Sequence, residues 1–337
     1  MKKLSIFGVF LVFMVAGIFF SGPSLKLSLE NFLSPVEIEE LLQASRMGID
    51  EVRGTIAKRE SVVPALKEEL KSYLRIPYRS VMEKGKKFKK VILFLHGFSA
   101  SPKEFSPLLE TLSDEIQIPV LFARYSGHGQ NSEELSKAKA RDWFFETLLY
   151  YQYAKIVGDE IIVVGSSTGA TLGYWLSQQN HVKLSHLILV SANFSPKDPR
   201  AEIALWPWGK EIALLLAGEE RSWKAASEEQ SRWWTTSYKN DVIFELMMLL
   251  KHVREEPIKP IQTKCALFYH PEDAVVSVKK MLHHFRALPC ATSEIFDVSK
   301  KRPELFQAFS KHVLAGSAVA GPELTTLRLE EIKSFLK

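Results

Sequence analysis

A serine lies between two glycines at Gly165-Ser166-Ser167-Thr168-Gly169, behind the apolar run 161–164 and ahead of a stretch rich in small residues. This pattern lifts a hydroxyl out of a sheet edge at the start of a helix, and the turn is sharp enough to require glycine at 165 and 169. A serine hydroxyl is a weak nucleophile at neutral pH, so it needs a neighbouring base, which in turn needs an orienting acid. Both are available downstream. Asp273 sits in His270-Pro271-Glu272-Asp273-Ala274, directly after the apolar run 266–270, and His312 sits in Lys311-His312-Val313-Leu314-Ala315-Gly316. Glu272 and Asp297 compete for the acid's place, and His270, His283 and His284 for the base's. The chemistry expected is attack of Ser167 on an acyl carbonyl, and the charge that develops there needs N–H donors. His96-Gly97-Phe98-Ser99 follows the apolar run 91–95 and offers the amide of Phe98; the elbow itself offers the amide of Thr168. His96 and His128 read as structural. No metal or organic cofactor is required.

These residues must be carried by elements that end at one place. Strand-like runs at 91–95, 120–124, 161–164, 187–190, 266–270 and 294–298 alternate with helix-like stretches, from Pro102, around 140–156 and from Thr168. Such alternation predicts a mainly parallel sheet with helices on both faces, whose ligands bind beyond the carboxyl ends of the strands. A further strand is expected within 74–82. Between 196 and 261 the strand pattern stops. Trp206, Trp208, Trp223, Trp233 and Trp234 occur there among helix-forming stretches, which predicts an inserted helical cap whose tryptophans either wall an acyl site or fasten the cap to the body. The domain division expected is 1–25, an anchor or signal peptide; 26–73, a helical extension; 74–195 with 262–337, the core; and 196–261, the cap.

The 337 residues carry 44 Lys and Arg against 39 Asp and Glu, with 46% hydrophobic and 25% charged residues, the balance of a folded globular chain. A net charge of +5 with no basic stripe interleaved with aromatics excludes nucleic acid as the expected partner. Lys2 and Lys3 precede 22 uncharged, mostly apolar positions from 4 to 25, enough helix for roughly 33 Å of bilayer. A retained anchor is expected rather than a cleaved signal, with the basic pair in the cytoplasm and the rest of the chain across the membrane, periplasmic or extracellular. Cys265 and Cys290 exclude a disulfide-rich scaffold and a CxxC zinc site. Each lies at or just before a strand-like run, so a bridge between neighbouring strand starts and two buried free thiols are both open.

On His96-Gly97-Phe98, Ser126-Gly127-His128-Gly129 with Trp143 following, Gly165-Ser166-Ser167-Thr168-Gly169, the loop around Asp273 and His312-Val-Leu-Ala-Gly316, residues 91–335 resemble the α/β-hydrolase superfamily. The branch is the one grouped with serine aminopeptidases and monoacylglycerol lipases. The resemblance implies an eight-stranded sheet, a helical lid in place of the inserted segment, and a triad of Ser167, Asp273 and His312 hydrolysing acyl esters or amides. Ser166 stands where that branch often has His, Thr168 where it has Met or Gln, and Ala170 where it has a second glycine. The leading expectation is therefore a membrane-tethered serine carboxylesterase or lipase-like hydrolase acting on a small or lipid-like acyl substrate. An aminopeptidase or amidase, with Glu202, Glu211, Glu219 or Glu220 capturing a free amine, is the second, and a non-catalytic membrane-bound interaction module the third.

Overall fold

The computed structural model describes residues 21–27, 33–80, 85–305, 311–316 and 318–336. The expected anchor falls largely on residues 1–20, outside the described residues. Among the described residues no helix is long and apolar enough to cross a membrane.

In chain order the strands are β1 (Tyr73–Arg75), β2 (Phe88–Leu95), β3 (Val120–Phe122), β4 (Gly158–Ser166), β5 (His186–Val190), β6 (Glu220–Ser222), β7 (Ser237–Lys239), β8 (Lys264–Tyr269) and β9 (Thr292–Asp297). Seven of them form one sheet in the order β1-β3-β2-β4-β5-β8-β9, and β6 pairs with β7 in a separate antiparallel ribbon. Only β1 runs antiparallel to its neighbour in the large sheet. The eight strands expected are thus seven among the described residues. Of the strand expected within 74–82, β1 takes only 74 and 75 and begins one residue earlier, because Pro77 has no N–H for a ladder and Tyr78 N–H donates to Asp114 on a helix instead; 81 and 82 lie outside the described residues.

Side chains alternate across the sheet with a period of two. Val91, Leu93, Leu95, Ile161 and Val163 enter one apolar cluster, while Ile92, Phe94, Ile162 and Val164 enter the other, which is why these runs read as continuously apolar. The helices in chain order are α1 (Pro35–Arg46), α2 (Ile49–Ser61), α3 (Ser106–Ile116), α4 (Ser132–Lys137), α5 (Ala140–Val157), α6 (Thr168–Ser177), α7 (Gly209–Ala217), α8 (Glu228–Trp233), α9 (Asp241–Glu255), α10 (Val278–Ala287) and α11 (Gly321–Phe335). Leu108, Leu109 and Leu112 of α3 and Leu324 and Ile332 of α11 cover one face. Helices α2, α5, α6, α9 and α10 supply the cluster on the other. Between β5 and β8 the chain leaves the sheet to form the 3-10 turn Pro199–Leu205, α7, the β6–β7 ribbon, α8 and α9.

Two features tie the periphery to this body. Cys265 at the start of β8 is disulfide-bonded to Cys290, just before β9, with Cα atoms 6.1 Å apart. At the amino-terminal side, Ser34 and Glu37 form a capping box that starts α1. Glu60 of α2 accepts from Arg124 Nε at 2.6 Å in a pair that is almost wholly buried. Arg124 also donates to the carbonyls of Tyr125 and His128, so it fixes the loop after β3 as well as the helix. Removing one partner of such a pair strands the other charge out of water. Arg124→Met should therefore cost about 3–5 kcal/mol of unfolding free energy, read as a fall in urea midpoint.

Candidate active site

Strand β4 ends at Ser166 and α6 begins at Thr168, so Ser167 alone makes the turn, with φ 51° and ψ −114°. A non-glycine residue held there is strained, and the surrounding packing enforces it. A Cβ on Gly165 would stand 2.5 Å from the Cα of Ala170, and one on Gly169 would stand 2.1 Å from the carbonyl oxygen of Leu95. Ser167 N–H donates to Val190 O at 2.9 Å, which pins the turn to β5.

His312 reaches this serine from the carboxyl-terminal part of the chain. Its Nε2 lies 3.1 Å from Ser167 Oγ and its Nδ1 lies 2.7 Å from Asp273 Oδ2. Asp273 follows β8; its other oxygen accepts the amides of Val275 and Val276, which leaves Oδ2 for the imidazole. Ser191, just past β5, donates to the carbonyl of His312 at 2.7 Å and holds that residue's backbone. The three residues expected to work together are thus adjacent in space, and Ser167 is only 9% exposed.

The competitors are placed elsewhere. Glu272 pairs with Lys311, Asp297 accepts the N–H and hydroxyl of Ser299, His270 accepts the amide of Glu272, and His284 stacks on Phe194 beside His283. Glu202 is paired with Arg254 and Lys280. Glu211, Glu219 and Glu220 are exposed.

Phe98 lies past the end of β2. The peptide joining Gly97 to Phe98 is held by its carbonyl, which accepts from His96 Nδ1 at 2.8 Å and from Ala100 N–H at 3.2 Å. Fixing the carbonyl fixes the Phe98 N–H on the opposite side of the same plane. His96 performs this as the Nδ1–H tautomer, because Tyr125 N–H donates to its Nε2. The Phe98 ring packs against His128, Trp143 and Tyr238.

The five tryptophans of the inserted segment divide. Trp234, with Trp223 and Trp233 against it, packs on Ala100, Val313, Ala318 and Val319, and Thr235 N–H donates to Ser99 O. These three fasten the segment to the loops that carry Phe98 and His312. Trp206 is 51% exposed, and Trp208, 40% exposed, sets its indole against Gly22.

Sequence reasoning missed Ser191 and Glu104. Glu104 is buried and accepts from Gly97 N–H and Ser166 Oγ, yet nothing in the local pattern marks it as more than an early helix residue.

Burial holds the His96 imidazole well below its usual range, pushes His128 down to about 4, and lowers His186 and His284 to about 4 as well. Each is thus neutral when folded at a pH where the unfolded chain is already protonated. The contribution of these four groups to stability should be constant above the unfolded value near 6.5 and fall as pH drops from there toward 4. Urea unfolding at pH 7 and pH 5 checks this; His128 alone accounts for up to about 3 kcal/mol of the full loss, and His128→Asn should flatten the slope.

A family model for the alpha/beta hydrolase fold matches residues 90–221. A thermostable monoacylglycerol lipase from Bacillus sp. (strain H-257) is 28% identical over 101 residues, 30% of this chain; the match spans 40% of that relative's length. Among solved structures, one from a study of the metagenome-derived lipolytic enzymes LipS and LipT superposes with a TM-score of 0.61 at 16% identity, covering 82% of this chain and 98% of the other. A soluble variant of the monoglyceride lipase of Saccharomyces cerevisiae, bound to a substrate analogue, gives 0.55 at 12% identity over 79% and 90%. At such identities these likenesses concern the fold, which agrees with the sheet order and the elbow described above. The chain therefore has the α/β-hydrolase fold, and over 101 residues it is similar to a monoacylglycerol lipase.

Proposed function

We propose that this chain is a serine-dependent hydrolase of acyl esters, a carboxylesterase or lipase-like enzyme. The observation that carries the reading is the hydrogen-bonded sequence Ser167 Oγ, His312 Nε2, His312 Nδ1, Asp273 Oδ2, at 3.1 and 2.7 Å. Ser167 attacks the acyl carbonyl as His312 takes its proton; the tetrahedral oxyanion is held by the amides of Phe98 and Thr168. His312 then gives the proton to the departing alcohol, and a water activated in the same way releases the acyl group. Asp273 keeps the imidazole in the tautomer that accepts from serine and stabilises the imidazolium. The kinship with lipases favours esters over amides, and the ion pairs already made by Glu202 count against an aminopeptidase. The presence of all three side chains counts against a non-catalytic module.

The enzyme is further proposed to be tethered to a membrane by its amino-terminal segment, with the catalytic body outside the cytoplasm. Residues 21–27 run along the inserted segment: Trp208 N–H donates to Pro23 O at 2.8 Å, and a Cβ on Gly22 would stand 2.0 Å from Trp208 Nε1. Trp206, Leu215 and Leu216 of the same inserted segment are exposed. The Cys265–Cys290 bond agrees with an oxidising compartment.

Purified protein should cleave short and medium-chain p-nitrophenyl esters and take a fluorophosphonate probe on Ser167. Ser167→Ala should abolish labelling and lower kcat by about 10⁴-fold or more. Inertness toward both reagents, or preference for aminoacyl amides over esters, would overturn the assignment. For the tether, expression followed by alkaline carbonate extraction should leave the full chain in the pellet; a freely soluble chain of full length refutes it.

A further inference from the structure

Glu104 lies in the 3-10 turn Pro102–Glu104 that leads into α3, 2% exposed. Its Oε2 accepts Gly97 N–H at 2.7 Å and its Oε1 accepts the Ser166 hydroxyl at 2.8 Å. These two contacts fall where the sheet stops helping. The ladder between β2 and β4 ends at the pair Leu95 and Gly165, and the groups assigned to the chemistry lie two and three positions beyond it: Phe98 on one chain, Ser167 and Thr168 on the other. Past the last rung, one carboxyl spans the gap, fastening the residue before Phe98 to the residue before Ser167. Its own backbone closes a third side, since a Cβ on Gly316, in the loop after His312, would stand 2.1 Å from Glu104 O.

A carboxyl is an expensive way to fill this space. Burial pushes its pKa up, while the Gly97 N–H, the Ser166 hydroxyl and the nearby His312 imidazole act in the opposite direction. An apolar side chain would pack at lower cost, but it would leave Gly97 N–H and the Ser166 hydroxyl without partners.

We propose that Glu104 is a positioning residue that sets the spacing between the Phe98 amide and the Ser167–Thr168 turn, and so the width of the oxyanion site. The inference rests on the hydrolase reading above. An oxyanion site is sensitive to such spacing because its donors act at the tetrahedral state, so an error there falls on kcat and leaves substrate binding alone.

Glu104→Gln retains both contacts, its amide oxygen accepting from Gly97 and its NH2 donating to Ser166. It should stay within about threefold of the parent in kcat and KM. Glu104→Met keeps the volume and loses both contacts; kcat should fall by about 30-fold or more with KM within about threefold, and fluorophosphonate labelling of Ser167 should slow in proportion. Should the Met variant fail to fold by circular dichroism, Ser166→Ala removes one tether and should lower kcat by about 3–10-fold at constant KM. An active parent whose Met or Ala variant matches it in kcat and labelling overturns the role of Glu104 alone. So does a Gln variant as impaired as Met, which would put the charge, and not the spacing, in control. A parent inert toward ester and probe overturns the hydrolase reading and this inference together.

Discussion

The constraint on which the site depends is the forced turn at Ser167. A residue with a side chain occupies a positive-φ conformation it would not choose, because β4 enters the turn, α6 leaves it, and neither has room to relax: Gly165 is closed off by Ala170 and Gly169 by the backbone of Leu95. The strain is carried by the largest body of packing in the molecule, the apolar strands buried on both faces. The sheet thus performs two tasks at once. It pays the conformational cost of the elbow, and its parallel order delivers the loops after β2, β4, β5 and β8 to the same edge.

Around that edge the supporting groups divide by element. His96 and Glu104 hold the loop after β2, Ser191 holds the backbone of His312, and the amides of Val275 and Val276 hold one oxygen of Asp273. Each fixes a group that itself touches Ser167, His312 or the place where an oxyanion would form. Trp234 and its neighbours join the inserted segment to two of these loops, so the segment is mechanically continuous with the site even where it contributes no chemistry.

Much of this was legible in the amino-acid order, for reasons that differ from one residue to the next. The elbow is legible because sterics restrict 165 and 169 to glycine, and the strands because burial on both faces leaves unbroken apolar runs. Asp273 and His312 were legible as candidates, since the residue types that can orient and accept a proton are few, but choosing them over Glu272 and His270 required coordinates. Glu104 was not legible. Its partners are 7 and 62 residues away, and an acidic residue early in a helix is ordinary. The short β1 misled in the other direction: a strand is expected within 74–82, while Pro77 and the Tyr78–Asp114 contact end it.

The bond between Cys265 and Cys290 lies at the end of β8 and β9 opposite to Asp273. It acts as a hem on the sheet's outer border. Among the described residues β9 pairs with β8 alone and so, like β1, forms a margin of the sheet; stitching its far end lets the loops at the near end differ in length or composition without loosening the strand beneath them. Changes in those loops would then leave the hem, and the strand it holds, as they are.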